Sequence, residues 1–165
     1  MSEAQQRLVP LTADEEALVR AFGRALLTVP RALDADLLDG PGLSLSEYTA
    51  LMHLSESPDQ RLRMSELAVA CAISISGMTR IANRLEERDL LRRERCTSDG
   101  RAWNAVLTDA GLLRLRQAWP THLASVRRHI LDHLQALDLP ALTAALQRIG
   151  AEMPCPPPHR LRDQA

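Results

Sequence analysis

The chain contains no lysine and few aromatic residues, and its composition limits both the partners and the fold that we expect. Its 20 basic residues are all arginine, against 21 acidic residues, and the resulting net charge of −1 argues against a general binder of polyanions. Aromatic residues make up only 2% of the 165 residues. The core of one ordinary domain must therefore be built from Leu, Ala, Val and Ile, which favours helices over sheets.

Long apolar runs, a leader segment and paired cysteines are also lacking. Neither a membrane span nor a signal peptide is therefore expected, and we expect a cytoplasmic protein. Cys71, Cys96 and Cys155 are odd in number and show no CxxC spacing, which argues against a disulfide framework or a zinc finger. No Gly-rich phosphate loop, nucleophile elbow or HExxH motif occurs, so neither an enzyme nor a cofactor is expected.

Residues 61–107 have the pattern of a short strand, a helix, a tight turn, a second helix and a two-stranded hairpin. The first helix is predicted from Met64 to about Cys71. Ser74 is placed to cap the N-terminus of the second helix, and Thr108 to cap the helix that follows the hairpin. Spacing divides the second helix into two sides. Its apolar stripe consists of Met78, Ile81, Ala82 and Leu85, and its polar side of Ser76, Thr79, Arg80, Asn83, Arg84 and Glu87.

That polar side carries groups suited to the edges of DNA bases. Small hydroxyls lie at its N-terminal end, where Gly77 allows a close approach of the backbone. Arg pairs bidentately with guanine and Asn with adenine, and the first turns of such a helix normally supply base contacts in the major groove. An ordinary solvated amphipathic helix shows the same pattern, so the helix alone does not decide between the two interpretations.

The hairpin that follows favours DNA. Residues 90–95 and 102–107 flank a turn-rich hexamer, 96–101, which can close an antiparallel ribbon. Asp99 can hold the guanidinium of Arg101 extended toward a narrow, electronegative minor groove.

Charge and strand pattern add to this picture. Residues 60–101 carry nine Arg against six acids, an excess of +3, and the remainder carries −4. A locally basic surface on a mildly acidic body suits focused binding to DNA. Trp103 shares a strand face with Ala105 and Leu107, and we interpret it as packing near the base of the hairpin rather than on nucleotides.

Five short motifs follow one another along the chain: Ser65-Glu66-Leu67-Ala68, the run from Ser74 to Arg80, Arg84-Leu85-Glu86, Asp99-Gly100-Arg101 and the run from Leu107 to Gly111. In this order and spacing they resemble the multiple-antibiotic-resistance regulator (MarR) family over roughly residues 43–139. The resemblance implies a dimeric transcription factor, usually a repressor, whose second helix enters the major groove and whose wing arginine enters the minor groove. The matching positions are Ser74, Ser76, Thr79, Arg80, Arg84, Asp99 and Arg101.

With Gly77 and Asn83 added from the helix pattern, these positions are the candidate DNA-binding residues. Family members often carry Arg at the position of Gly100, so one phosphate contact fewer is expected here. The expected fold is mainly α with a small β-hairpin wing.

The domain organisation follows from the flanking segments. A winged helix-turn-helix is expected at 43–108, helical dimerisation segments at 12–38 and 109–152, and flexible ends at 1–11 and 154–165. We expect Pro30 to bend the first helix without ending it, Pro120 to interrupt a later one, and Arg128 to pair with Asp132.

The predicted helices outside the winged helix carry apolar faces that the winged helix is too small to cover. A symmetric homodimer would cover them and present two recognition helices to a pseudo-palindromic operator, about one DNA turn apart. The alternative is that these helices pack within a single chain.

Other functions stay open at this point. One helical face is predicted to carry three histidines, His122, His129 and His133, and His53 could join them. Such a set would bind zinc. The alternative is that these histidines are simply exposed to solvent. Thiol sensing would need Cys96, beside Arg95, or Cys155.

A small-molecule effector is common in the family. Tyr48, His53 and Arg20 are polar groups that can line a crevice for it. A winged helix used only for protein contacts is the remaining alternative.

Overall fold

The computed structural model describes residues 9–96 and 102–151, where the chain is mainly helical with one small antiparallel sheet. This confirms the predicted fold class. Within the described part no single helix is long and apolar enough to cross a membrane. The elements are α1 Ala13–Asp39, α2 Leu45–Glu56, β1 Arg61–Arg63, α3 Met64–Ala70, α4 Ile75–Glu86, β2 Leu91–Arg95, β3 Trp103–Leu107, α5 Asp109–His129 and α6 Leu139–Ala151.

The first two helices begin at capping boxes. The Thr12 hydroxyl accepts from the Glu15 N–H at 3.3 Å, and the Glu15 carboxylate accepts from the Thr12 N–H at 2.7 Å. Ser44 and Glu47 repeat this arrangement at the start of α2. Pro30 lies inside α1, which continues to Asp39, so the expectation that Pro30 does not end the helix is confirmed.

α5 corrects two expectations. It runs unbroken through Pro120, so the predicted interruption is wrong. Ala118 and Ser125 are buried on either side of Pro120, and their packing holds both halves in one helix despite the missing N–H. The helix ends instead at His129, and a 3₁₀ turn, Leu131–His133, follows. Arg128 pairs with Asp36 rather than with Asp132.

Asp36 ties α1 to α5. Its Oδ2 accepts from the Ser125 hydroxyl and from Arg128 Nη2 at 2.5 Å, and it lies 3.1 Å from His129 Nε2. The hydrogen bonds from Ser125 and Arg128 lower the pKa of Asp36 to about 2. These bonds join residues that are far apart in the sequence.

The winged part surrounds a continuous apolar core. The strand order is β1-β3-β2 with antiparallel pairing, and Ala105 on the central strand lies opposite Leu62 on one side and Arg93 on the other. Most of the large side chains in this core are leucines, and they come from both helices and strands. The core residues that are fully or almost fully buried include Leu37, Leu43, Tyr48, Leu51, Leu54, Leu67, Met78, Leu85, Leu91 and Leu107.

Gly111 allows α5 to begin directly against the winged part. A Cβ at this position would lie 1.9 Å from the Leu90 carbonyl oxygen and 2.8 Å from Leu107 Cδ1. The Thr108 hydroxyl caps the helix by accepting from the Gly111 N–H at 3.0 Å, and it donates to the Asp89 carbonyl at 2.6 Å. The predicted cap at Thr108 is confirmed.

Gly111→Ala should lower the free energy of unfolding by roughly 2–3 kcal/mol, because the new methyl group overlaps the Leu90 carbonyl. The matched control is the exposed neighbour Ala110→Gly, which should cost about 1 kcal/mol through helix propensity alone. Urea titrations at one protomer concentration measure both. If Gly111→Ala proved as stable as wild type, the close approach would be incorrect.

Asp36→Asn should destabilise the fold in a pH-dependent way. Because the pKa of Asp36 is depressed from 3.8 to about 2 in the folded state, the carboxylate stabilises the fold above pH 3.8 and loses this effect as the pH falls toward 2. Urea titrations of wild type and variant should therefore differ fully at pH 5 to 7 and converge near pH 2. Glu16→Gln, in an exposed pair with Arg20, is the control. A difference that stayed constant with pH would contradict the ionic role.

Candidate nucleic-acid interface

The apolar stripe of α4 determines which side of the helix faces outward. Met78, Ala82 and Leu85 are fully buried, and Ile81 is nearly so, which confirms the predicted stripe. Complete burial stabilises by about 1.5–3 kcal/mol for each large apolar side chain. Rotation of α4 about its axis would forfeit this burial, so the polar side is fixed on the surface.

The turn before α4 presents its N-terminus. Ala72 adopts a left-handed conformation with φ 53°, and α3 and α4 meet at a bend of 104°. The Ser74 hydroxyl accepts from the Gly77 N–H at 3.1 Å and lies 3.1 Å from the Ser76 hydroxyl, so the predicted cap is confirmed. Exposed hydroxyls thus surround the positive end of the helix dipole.

Further along, α4 presents polar side chains to the surface. Thr79 is exposed, and its hydroxyl donates to the Ile75 carbonyl at 2.9 Å. Arg80 and Asn83 are exposed as well, and within residues 9–96 and 102–151 their side chains have no polar partner. A guanidinium and an amide are therefore available to a ligand on this side.

Arg84 differs from its neighbours because it is held by a residue of α2. Its Nε donates to Glu47 Oε1 at 2.8 Å, while its side chain remains 51% exposed. Arg88 Nη1 lies 3.6 Å from the other oxygen, Oε2. The sequence pattern placed Arg84 correctly on the polar side, but it gave no sign of the bond to Glu47, which lies 37 residues earlier in the chain.

The Glu47 carboxylate stays ionised despite its burial. Burial acts to raise its pKa, but the bond from Arg84, the Ser44 N–H and the charges of Arg84 and Arg88 together lower the pKa below its ordinary value. A negative charge is thus fixed beneath the basic side of α4.

The wing is fastened to α4 by a second ion pair. Glu86 Oε1 accepts from the Arg93 backbone N–H at 3.0 Å, and Oε2 accepts from Arg93 Nε at 2.8 Å. The bonds from Arg93 lower the pKa of Glu86. Because Glu86 lies on α4 and Arg93 on β2, the wing and the helix keep a fixed relative position.

A groove of about 690 Å³ separates α4 from the wing, and its lining includes Arg63, Thr79 and Trp103. Trp103 is 45% exposed at the base of the wing, and Arg95 Cζ lies 5.4 Å from its ring centroid. The predicted wing residues Asp99 and Arg101, with Gly100, lie outside the described residues and stay predictions.

The predicted histidine alignment is wrong, because α5 ends at His129 and leaves His133 in the following turn. His129 faces Asp36. His122 stacks on Tyr48 at 4.3 Å, and burial lowers its pKa. No group of three metal-ligating residues occurs in the part of the chain that the structure describes.

The two cysteines that the structure describes are half-buried. Burial raises the pKa of Cys71 to about 11, which disfavours its thiolate. Arg63 Nη2 lies 3.8 Å from the sulfur of Cys96. Cys155 lies outside the described residues.

The three suggested effector residues have separate surroundings. Tyr48 is buried against His122, whose Nδ1 is buried and lacks a partner among the described residues. Arg20 pairs with Glu16 on the exposed face of α1, and His53 is half-buried on α2.

Comparisons with known proteins agree with this geometry. A family model described as MarR family matches residues 42–102. The transcriptional repressor MprA from Escherichia coli (strain K12) is 31% identical over 84 residues, which are 51% of this chain and 48% of MprA. The chain thus spans about half the length of that curated relative.

Two solved regulators from Streptomyces coelicolor are similar over most of the chain. Sco3205, a MarR family transcriptional regulator solved in complex with DNA, is 36% identical with a TM-score of 0.80, covering 88% of this chain and 91% of its own. AbsC, also a MarR family transcriptional regulator, is 39% identical with a TM-score of 0.80, covering 88% and 97%. The chain belongs to the MarR family of transcriptional regulators.

Proposed function

We propose that this chain binds a specific DNA sequence as a homodimer, with α4 in the major groove and the wing in the adjacent minor groove. The observation that carries the proposal is the outward polar side of α4. There the hydroxyls of Ser74, Ser76 and Thr79 and the exposed side chains of Arg80 and Asn83 lie on one side of the helix. These groups match the hydrogen-bonding edges of bases and the phosphates beside them.

The relatives support the same mode of binding. Sco3205 was solved in complex with DNA, and its likeness covers 88% of this chain. Arg101 would enter the minor groove next to Asp99, as the family resemblance implies.

The homodimer is proposed from apolar surface that one chain leaves uncovered. Large apolar side chains of α1 and α6 are exposed, and a second copy of these helices would cover them. Pairing through these helices sets two α4 helices about one DNA turn apart. The exposed side chains are Leu18, Val19, Phe22, Leu26 and Leu27 on α1 and Leu139, Leu146 and Ile149 on α6.

Repression in the cytoplasm is the proposed outcome of binding, since MprA is named a repressor. The proposed role is not catalytic.

Control by a small molecule rests on the family resemblance, and the buried Nδ1 of His122 beside Tyr48 is the feature that supports it here. A winged helix used only for protein contacts is the alternative, and a failure to retard any duplex obtained by selection from random DNA would favour it.

Arg80→Ala should weaken binding to a selected duplex by about 1–3 kcal/mol and relax its sequence preference, because a bidentate base contact is lost. Arg101→Ala should lower the slope of affinity against salt concentration by about one. Gel-shift titrations at several salt concentrations measure both effects, with the exposed Arg116→Ala on α5 as control. Wild-type affinity in the combined Arg80→Ala and Arg101→Ala variant would refute this mode of docking.

Leu26→Glu should convert the dimer into a monomer, because a charge would be buried in the proposed interface while the protomer core is untouched. Sedimentation velocity at micromolar concentration measures the change, and operator affinity should fall with it. Val69→Glu is the control: Val69 is similarly exposed but lies on α3, so that variant should stay dimeric. A monomeric wild type would contradict the proposal.

A further inference from the structure

We propose that Glu47 is a positioning residue for DNA binding: from α2, it holds the guanidinium of Arg84 in the orientation in which Arg84 contacts DNA. The inference rests on the proposed function, because it concerns how one residue of that surface is oriented. Glu47 itself is almost completely buried and does not reach the surface.

The geometry separates an anchored end of the guanidinium from a free end. Glu47 has a side chain that is 6% exposed, and it binds Nε of an Arg84 side chain that is 51% exposed. Within the described residues no partner contacts the two terminal nitrogens of Arg84. A planar guanidinium anchored at Nε therefore directs its remaining donors outward, as bidentate contact with a phosphate or guanine requires.

Glu47 is itself fixed by several groups. Its Oε2 accepts from the Ser44 N–H at 3.0 Å, as part of the cap of α2, and lies 3.6 Å from Arg88. The anchor thus belongs to a helix of the core rather than to the DNA-binding element. It also lies between Arg84 on α4 and Arg88, two residues after the end of α4, and its negative charge reduces the repulsion between these two arginines.

Anchoring has a consequence for specificity. A free arginine must lose rotamer freedom when it binds, whereas Arg84 is already restricted before it meets DNA. Removal of the Glu47 charge would release Arg84 and make the surface more positive. Contact with one defined sequence should weaken, while attraction to any phosphate backbone should persist or strengthen.

Glu47→Gln tests this, because it keeps the shape and an oxygen for the Ser44 N–H but loses the charge. We expect about threefold to tenfold weaker binding to the selected duplex, from the cost of ordering one side chain, and equal or tighter binding to a shuffled duplex. Glu56→Gln, with the same charge change at an exposed position of α2, should alter neither affinity. In an Arg84→Gln background, Glu47→Gln should have no further effect on specific affinity.

The outcomes separate the inference from the function it rests on. If wild type binds no selected duplex, the proposed function fails and the inference with it. If wild type binds and Glu47→Gln matches it, or if the loss persists in the Arg84→Gln background, only the positioning role is overturned.

A measurement on wild type covers the case in which the variant does not fold. NMR of the free protein should show a slowly exchanging Arg84 Nε–H. An averaged, rapidly exchanging signal would overturn the proposal.

Discussion

The fixed rotation of α4 is the constraint on which the rest of the structure depends. Its apolar stripe belongs to one buried cluster with residues of α2, α3 and the wing strands, so the other side of the helix faces outward. The same burial that stabilises the fold therefore exposes the hydroxyls, Arg80 and Asn83. The surface that we propose for DNA binding is therefore a consequence of how the core is packed.

Carboxylates on one element that bind arginines on another complete the framework. Arginine suits this use because its several donors allow one nitrogen to be anchored while others remain available. Each pair joins two elements: α1 and α5, α2 and α4, or α4 and the wing. The pairs are Asp36 with Arg128, Glu47 with Arg84, and Glu86 with Arg93.

Local patterns in the sequence predicted the local structure well, and tertiary contacts account for what they missed. Caps at Ser74 and Thr108 and the stripe of α4 depend on neighbours within four residues, so spacing alone revealed them. Pro120 misled because packing on both sides outweighs one lost hydrogen bond. Glu47 carried an obvious local role in a cap, which concealed its bond to an arginine 37 residues later.

Chemical protection of the selected duplex tests the central claim most directly, because dimethyl sulfate methylates guanine N7 in the major groove and adenine N3 in the minor groove. The account predicts two half-sites of protected guanine N7, about one DNA turn apart, each flanked by protected adenine N3 where the wing enters. A retarded duplex with unprotected guanine N7 throughout would show that α4 does not occupy the major groove, and would contradict it.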